Sequence, residues 1–249
     1  GMTFLKAQLR RSQNRFSDGL PFIIAPFAGR PENMSQTVWL FDLDNTLHRA
    51  EAGIFQLINR RMTEWLAANL CLSASEADRL RRQWWHEHGA TLAGLRLHHP
   101  QADLADFLRF AHPMDGILAR LCGESGAAEA VGGLRGRKAV LSNAPSFYVR
   151  ELVSALGLSE CFASLLGTDD CAYACKPDPA AYLAACAALD APPECCIMVD
   201  DSAANLAAAK RLGMRTVWFG AHVHPLPVAD CAARDMAELA AWAAEAVPA

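Results

Sequence analysis

Short apolar runs alternate with amphipathic stretches along most of the chain. Four runs rich in β-branched and bulky residues cover 37–43, 138–143, 195–201 and 215–220. Runs of this length and composition are typical of strands buried on both faces. Helical patterns follow at 146–157, 178–189, 202–212 and 235–246. Repeated strand–helix units predict an α/β fold with a doubly wound parallel sheet.

Residues with strong capping preferences mark the ends of two of these helices. Ser146 and Ser202 stand where N-caps are expected, and Gly157 and Gly213 stand where the same helices should end. Serine at a helix start and glycine just past its end satisfy backbone groups that the helix leaves unpaired. The two helices are therefore predicted with defined boundaries.

A segment without strand patterns separates the first strand from the others. It carries helical patterns at 55–70, 75–89 and 102–112. We predict a small α-helical domain at 51–113, inserted into an α/β core formed by 35–50 and 114–249. The glycine-rich stretch 123–136 is predicted to be a loop. Residues 1–34 are predicted to be an N-terminal extension without an assigned role.

The composition is typical of a soluble globular protein. Hydrophobic residues make up 52% of the 249 positions, and the formal net charge is −4. That charge provides no general attraction to nucleic acid polymers or anionic membranes, so we expect neither as a partner. The nine cysteines lack zinc-finger or CxxC spacing, and we interpret them as buried, reduced thiols. Reduced thiols favour a cytoplasmic location, and no apolar run is long enough to span a bilayer.

Polar residues concentrate where the predicted strands end. They are Asp42, Asp44, Ser142, Asn143, Asp200 and Asp201, joined by Lys176 just before a predicted helix. Ligands of open α/β sheets bind at the carboxyl ends of the strands. We therefore expect these side chains to form one site.

Carboxylates gathered with a hydroxyl and an ammonium suit phosphoryl transfer. One carboxylate can attack phosphorus, while a second passes a proton to the leaving alkoxide and takes one from water. Clustered carboxylates repel one another unless a hard cation lies among them, and Mg²⁺ prefers such oxygen ligands. The cation and the lysine would neutralise the phosphoryl oxygens.

The order and spacing of these residues resemble the four motifs of the haloacid dehalogenase (HAD) superfamily over about residues 37–220. The matching pieces are Asp42-x-Asp44-x-Thr46, the strand ending in Ser142, Lys176 with Pro177, and Asp200-Asp201. The resemblance implies a Rossmann-like core with an α-helical cap. It also implies a phosphatase that acts through an aspartyl-phosphate on a small phosphorylated metabolite. An acid at position 44 favours phosphoesters, since a halide leaves without needing a proton.

The resemblance implies a role for each motif residue. Asp42 would be the nucleophile and Asp44 the general acid/base. Ser142, Asn143 and Lys176 would bind the transferring phosphoryl group. Mg²⁺ would be bound by Asp42, by the backbone carbonyl of Asp44 and by Asp201, with Asp200 binding directly or through water. The family often has an acid four positions after the aspartate that corresponds to Asp201, and this chain has Asn205 there.

The helical insert is similar to the pyrimidine 5′-nucleotidase-like branch of the superfamily. The similarity lies in FDLDNTLHRAEAGIF, EHGATLAGLRLHH and DFLRFAH. It implies a pyrimidine nucleoside 5′-monophosphate as substrate, with candidate contacts from Gly89, Thr91, Arg96, His98 and His99. Phosphoglycolate or a sugar phosphate is the alternative substrate. A phosphomutase or a catalytically idle binding relative is a further alternative, and the oligomeric state stays open.

Two other features of the insert have competing interpretations. The histidine pairs suggest zinc, but no HExxH motif completes a ligand set, so solvated or hydrogen-bonded histidines are favoured. Adjacent Trp84 and Trp85 are predicted to place one ring in the helical core and one near the surface, with base stacking as the alternative.

Overall fold

The computed structural model describes residues 37–220 and 227–246 and shows a parallel sheet with helices around it. The strands are β1 (Val38–Phe41), β2 (Arg137–Leu141), β3 (Ser164–Leu166), β4 (Cys196–Asp200), β5 (Arg215–Phe219) and β6 (Cys231–Ala233). Their order is β3-β2-β1-β4-β5-β6, and each neighbouring pair is parallel. The doubly wound α/β fold is therefore confirmed. The predicted extension at 1–34 lies outside the described residues.

The strand order reverses direction beside β1. The chain adds β2 and β3 on one side of β1, then returns to add β4, β5 and β6 on the other. Val38 is accordingly in register with Arg137 on one side and with Cys196 on the other. Such a reversal opens a crevice at the carboxyl ends of the central strands, where ligands of this architecture bind.

Ten helices lie among the described residues. They are α1 (Ile54–Asn69), α2 (Ala74–His88), α3 (Thr91–His98), α4 (Leu104–Ala111), α5 (Met114–Leu118), α6 (Ala127–Gly133), α7 (Ser146–Ala155), α8 (Pro179–Ala188), α9 (Ala203–Arg211) and α10 (Met236–Ala246). The loop predicted for 123–136 is wrong, because α6 occupies its middle. Ala127 and Val131 of α6 are buried in the core, and this packing outweighs the poor helix propensity of the glycines beside them.

The capping predictions hold with one exception. Ser202 caps α9 by accepting a hydrogen bond from the Asn205 amide, and Gly213 follows that helix with a positive φ. Ser146 is instead the first residue of α7, after Pro145 at the cap position. The Ser146 amide and hydroxyl both donate to the Asp169 carboxylate, which takes over the capping task.

Each face of the sheet has its own hydrophobic core. Along β1, Trp39 and Phe41 point into one core while Val38 and Leu40 point into the other. Alternation of side chains along a strand produces this division, and both sets are buried because helices cover both faces. The central strands are thereby held rigidly below the crevice.

Helices α1 to α4 enclose a third hydrophobic cluster, which we call the insert core. Its largest members are Trp65, Trp84 and Phe107. Two residues of a sheet loop, Cys175 and Tyr173, also pack into it. Among the described residues, no helix combines the length and hydropathy needed to cross a bilayer. All nine cysteines are free thiols, as predicted. Only four of them are buried, four are partly buried and Cys71 is exposed, so the prediction that the cysteines are buried is wrong for Cys71 and holds fully for four.

Candidate active site

Neighbouring strands bring Asp42, Lys176 and Asp200 into direct contact. Asp42 follows β1, and its amide donates to the carbonyl of Val199 in β4 at 2.9 Å. Asp200 ends β4. The Lys176 Nζ donates to Asp42 Oδ1 and to Asp200 Oδ2, each at 2.8 Å. All three polar side chains are buried, so the lysine bridges two carboxylates away from bulk water.

The charges in this cluster depend on one another. Burial alone would lower the pKa of Lys176, but the carboxylates of Asp200 and Asp42 raise it above its ordinary value. Burial raises the pKa of Asp42 well above its ordinary value, since it outweighs the opposing effect of Lys176. The two buried carboxylates repel each other, so the cluster is stable only while the lysine ammonium stays between them. The lysine is therefore part of what keeps Asp42 usable as an anion.

Asp200 accepts hydrogen bonds from several donors of the protein. Its Oδ1 accepts from the Ser202 amide at 2.8 Å, and the Asn205 side-chain amide donates to both carboxylate oxygens. Asn205 stands where the family often has an acid, and here it holds Asp200. Both oxygens of Asp200 are thus already engaged by the protein.

Asp201 is less constrained than its neighbour. Its Oδ2 accepts a long hydrogen bond of 3.4 Å from the Asn45 side chain. Burial, together with the charge of Asp200, raises the pKa of Asp201 to about 6. Carboxylate oxygens of Asp42, Asp200 and Asp201 lie within 4.8 Å of one another, and no other group of three acidic, histidine or cysteine ligands does so in the described ranges. This donor set fits a hard divalent cation such as Mg²⁺.

Asp44 lies in its own hydrogen-bonded pocket. Its Oδ1 accepts from Tyr148 Oη at 2.5 Å and from His48 Nε2 at 2.9 Å. Burial would raise the pKa of Asp44, but the hydrogen bonds from His48 and Tyr148 lower it below its ordinary value. Burial and the charge of Asp44 raise the pKa of Tyr148 well above its usual range, so the phenol stays a donor. Sequence analysis identified neither His48 nor Tyr148.

The two residues at the end of β2 are used differently. The Ser142 hydroxyl accepts from the Ala144 amide at 3.0 Å, which leaves its own hydrogen for donation. The Asn143 side chain grips the backbone of Lys176: its oxygen accepts from the Lys176 amide at 2.7 Å, and its amide donates to the Lys176 carbonyl at 2.9 Å. Asn143 therefore fixes the loop that presents the lysine.

The candidate contacts on the insert fall into buried and exposed positions. Thr91 is buried, and its hydroxyl donates to the Arg81 carbonyl at 3.3 Å. Arg96 and His98 are exposed on α3, and His99 is the C-cap residue of that helix. Burial raises the pKa of the Cys175 thiol to about 11, and the nearby charge of Arg96 opposes part of this rise. Cys175 lies directly before Lys176 in the chain.

The tryptophan pair behaves as its packing role predicts. Trp84 is buried in the insert core and stacks on the His98 ring, with centroids 5.8 Å apart and planes inclined by 11°. Trp85 is 62% exposed. In the described ranges no histidine belongs to a cluster of three potential metal ligands, and His222 and His224 lie outside those ranges.

Gly89 of the insert lies against the loop at 167–178 that carries Lys176, which we call the lysine loop. It ends α2 with a φ of 80°, a conformation that glycine adopts without strain. A Cβ at this position would overlap the Pro177 ring and lie 3.0 Å from the Lys176 carbonyl oxygen. Tyr173 and Cys175 of the same loop pack into the insert core. The insert therefore rests directly on the segment that carries the lysine.

Comparisons with known proteins find several phosphatases that are similar to this chain. A family model described as haloacid dehalogenase-like hydrolase matches residues 37–213. Validoxylamine A 7′-phosphate phosphatase of Streptomyces hygroscopicus subsp. limoneus is 27% identical, over 81% of this chain and 95% of its own length. Phosphoglycolate phosphatase of Rhodospirillum rubrum is 30% identical, over 82% of this chain and 89% of its own length. A 6-phosphogluconate phosphatase of Escherichia coli is 29% identical over 57% of this chain and 61% of its own length.

Solved structures share the same fold. A HAD phosphatase from Thermococcus onnurineus superimposes with a TM-score of 0.59 at 21% identity, covering 84% of this chain and 98% of its own. CbbY from Rhodobacter sphaeroides, in complex with phosphate, gives a TM-score of 0.58 at 25% identity and covers 82% of this chain and 96% of its own.

Proposed function

Because the chain belongs to the haloacid dehalogenase-like hydrolase family, we propose that it is a Mg²⁺-dependent phosphomonoesterase that acts on a small phosphorylated metabolite. The observation that carries this proposal is the buried contact of Lys176 with Asp42 and Asp200. A lysine held between two carboxylates at the end of the central strands is suited to receive a phosphoryl group beside a nucleophile.

In the proposed reaction Asp42 attacks phosphorus and becomes an aspartyl-phosphate. Asp44 in its protonated form gives a proton to the leaving oxygen, and it then takes one from the water that hydrolyses the intermediate. The hydrogen bonds that lower the pKa of Asp44 favour its carboxylate, so they suit the second step, in which Asp44 is the base, more than the first. Lys176 and the Ser142 hydroxyl bind the phosphoryl oxygens. The grip of Asn143 on the Lys176 backbone supports a positioning task for this residue in addition to the phosphate contact implied by the family resemblance.

The acidic cluster fits Mg²⁺, which would neutralise negative charge on the phosphoryl group when bound. Asp42 and Asp201 would hold it with the backbone carbonyl of Asp44. The engagement of both Asp200 oxygens by protein donors supports Asp201 as the direct ligand and Asp200 as a ligand through water.

The named relatives favour a substrate outside the nucleotides. They are named for phosphoglycolate, 6-phosphogluconate and validoxylamine A 7′-phosphate. We therefore place phosphoglycolate and sugar phosphates first, ahead of the pyrimidine nucleoside monophosphates implied by resemblance. The latter stay a second candidate because the GATLAGL stretch lies at Gly89, where the insert contacts the lysine loop.

We also propose that residues 51–113 act as the cap over the site. The close approach of Gly89 to Pro177 and to the Lys176 carbonyl supports this, since it places the insert beside the loop that carries the lysine. Arg96, His98 and His99 would then select the part of the substrate beyond the phosphate.

A phosphate-release screen tests the proposed function. Purified protein with Mg²⁺ is offered phosphoglycolate, 6-phosphogluconate, glucose 6-phosphate, UMP, CMP, AMP and p-nitrophenyl phosphate. We expect the highest kcat/KM for a phosphorylated acid or sugar. A preference for UMP and CMP would select the second candidate. The proposal would be contradicted if the folded protein released phosphate from none of these esters.

Removal of divalent cations is expected to lower turnover by about 10²-fold or more, because the phosphoryl charge and the acidic cluster would lose their counter-ion. The measurement is phosphate release after dialysis against EDTA, followed by titration with MgCl₂. EDTA already saturated with Mg²⁺ is the control for the chelator itself. Full activity in the metal-free protein would contradict the role of the cation.

A further inference from the structure

The hydrogen bonds around Asp44 are arranged asymmetrically. Tyr148 and His48 both donate to Oδ1, and among the described residues no side chain is hydrogen bonded to Oδ2. Since a carboxyl oxygen accepts here, His48 Nε2 carries the hydrogen, and Nδ1 of the same ring is buried without a hydrogen-bond partner in the described part of the chain. The short hydrogen bond of His48 is therefore the one to Asp44, with the Tyr148 hydroxyl 3.5 Å from the same nitrogen.

The phenol and the imidazole are themselves firmly held. Tyr148 and His48 are fully buried. The His112 ring packs edge-on against Tyr148, with centroids 5.3 Å apart, and its own Nδ1 is bonded to the Leu108 carbonyl oxygen at 2.8 Å. Side chains locked by packing in this way hold a contact geometry with little loss of freedom when the reaction proceeds.

We propose that His48 and Tyr148 are positioning residues for Asp44: they hold its carboxyl group through Oδ1 and leave Oδ2 to exchange the proton. The inference rests on the proposed function, in which Asp44 is the general acid/base. It adds two residues, one four positions after Asp44 and one 104 positions away.

This arrangement serves both halves of the reaction. In the first, the Asp42–phosphorus bond forms, the bond from phosphorus to the leaving oxygen breaks, and the proton on Asp44 Oδ2 passes to that oxygen. In the second, water attacks phosphorus, its proton passes to Oδ2, and the bond to Asp42 breaks. Oδ1 can accept both hydrogen bonds in either protonation state of Asp44. It is the carbonyl oxygen when Asp44 is protonated and a carboxylate oxygen when Asp44 is ionised. The carboxyl group need not reorient between the two steps.

Esters with different leaving groups distinguish this role from a structural one. An alkoxide must be protonated as it leaves, whereas p-nitrophenolate leaves as a stable anion. The value of kcat/KM depends only on steps up to formation of the phosphoenzyme, so it reports proton donation without the later hydrolysis. The test compares p-nitrophenyl phosphate with an alkyl phosphate that the wild-type protein hydrolyses, phosphoglycolate first.

The measured quantity is kcat/KM for the alkyl ester divided by kcat/KM for p-nitrophenyl phosphate. We expect Tyr148→Phe to lower this ratio by about tenfold, which is a part of the rate enhancement that general acid catalysis provides. His48→Leu should lower the same ratio, and His48→Gln should restore part of it because an amide can donate to Oδ1. Tyr182→Phe is the matched control: it removes another buried phenol, one bonded to the Asn205 carbonyl, and should leave the ratio unchanged.

A second comparison uses Asp44→Asn. Once Asp44 cannot exchange a proton, adding Tyr148→Phe should change the ratio no further. Equal losses on both esters in Tyr148→Phe would overturn the positioning role while leaving the phosphatase intact. Wild-type protein that releases phosphate from none of the esters in the screen would overturn the proposed function, and this inference with it.

Discussion

Replacement of Asp42 by asparagine is expected to lower turnover by about 10⁴-fold or more, the scale of loss when a covalent nucleophile is removed. The amide has nearly the shape of the carboxylate, but it cannot attack phosphorus. It also removes one of the two negative charges that hold Lys176. Asp200 remains as the other partner of the lysine, so the fold should persist.

Initial rates of phosphate release measure this loss, and thermal unfolding shows that the variant is folded. Acid quenching during turnover, followed by mass spectrometry, should find phosphate on the wild-type peptide that carries Asp42 and none on the variant peptide. Asp115→Asn, at an exposed position on α5, is the matched control and should retain full activity. Turnover by Asp42→Asn at a comparable rate would contradict the covalent mechanism.

Replacement of Lys176 by methionine is expected to have the largest effect on stability. The lysine is 1% exposed and forms both of its ion pairs with buried carboxylates. Methionine fills similar space but leaves Asp42 and Asp200 facing each other without a cation. Breaking a buried pair by removal of one partner costs about 3–5 kcal/mol of unfolding free energy. For a chain of this size, that corresponds to a fall of about 10 °C in the unfolding temperature.

Activity should fall with it, by about 10²–10³-fold, since a preorganised positive charge on the phosphoryl group is lost. Scanning calorimetry and phosphate release measure the two effects separately. The double variant Lys176→Met, Asp200→Asn should regain part of the lost stability, because one unpaired charge is removed. Added Mg²⁺ should raise the unfolding temperature of Lys176→Met more than that of the wild type. A single variant as stable as the wild type would show that the carboxylates do not need the lysine.

The strands that were predicted correctly are the ones with dense apolar runs. Residues 138–143 and 195–201 contain long buried segments, and they form β2 and β4. The strands β3 and β6 have only three residues each, SLL and CAA, and they pair at the sheet edges. Segments this short carry no distinguishable periodicity, so their strand structure depends on the neighbour to which they bond.

The residues of the site also differ in how well the sequence predicts them. Asp42, Lys176 and Asp200 could be predicted to meet, because each lies at a strand end or beside a helix start, and the parallel sheet brings those positions to one edge. The role of Tyr148 could not be predicted. Its ring lies on the buried side of α7, and only the tertiary packing directs the phenol toward Asp44. His48 lies four residues after Asp44, but nothing in its pattern separates it from a solvated histidine.

The junction at Gly89 limits how proteins of this design can diverge. Exposed positions of the insert, such as Trp85 and Leu97, can accept other side chains without disturbing its contact with the lysine loop. Position 89 is different, since any side chain would collide with Pro177 and the backbone there has a φ of 80°. A side chain at this one position would therefore have to displace the lysine loop, so a change in the insert would be transmitted to the segment that presents Lys176.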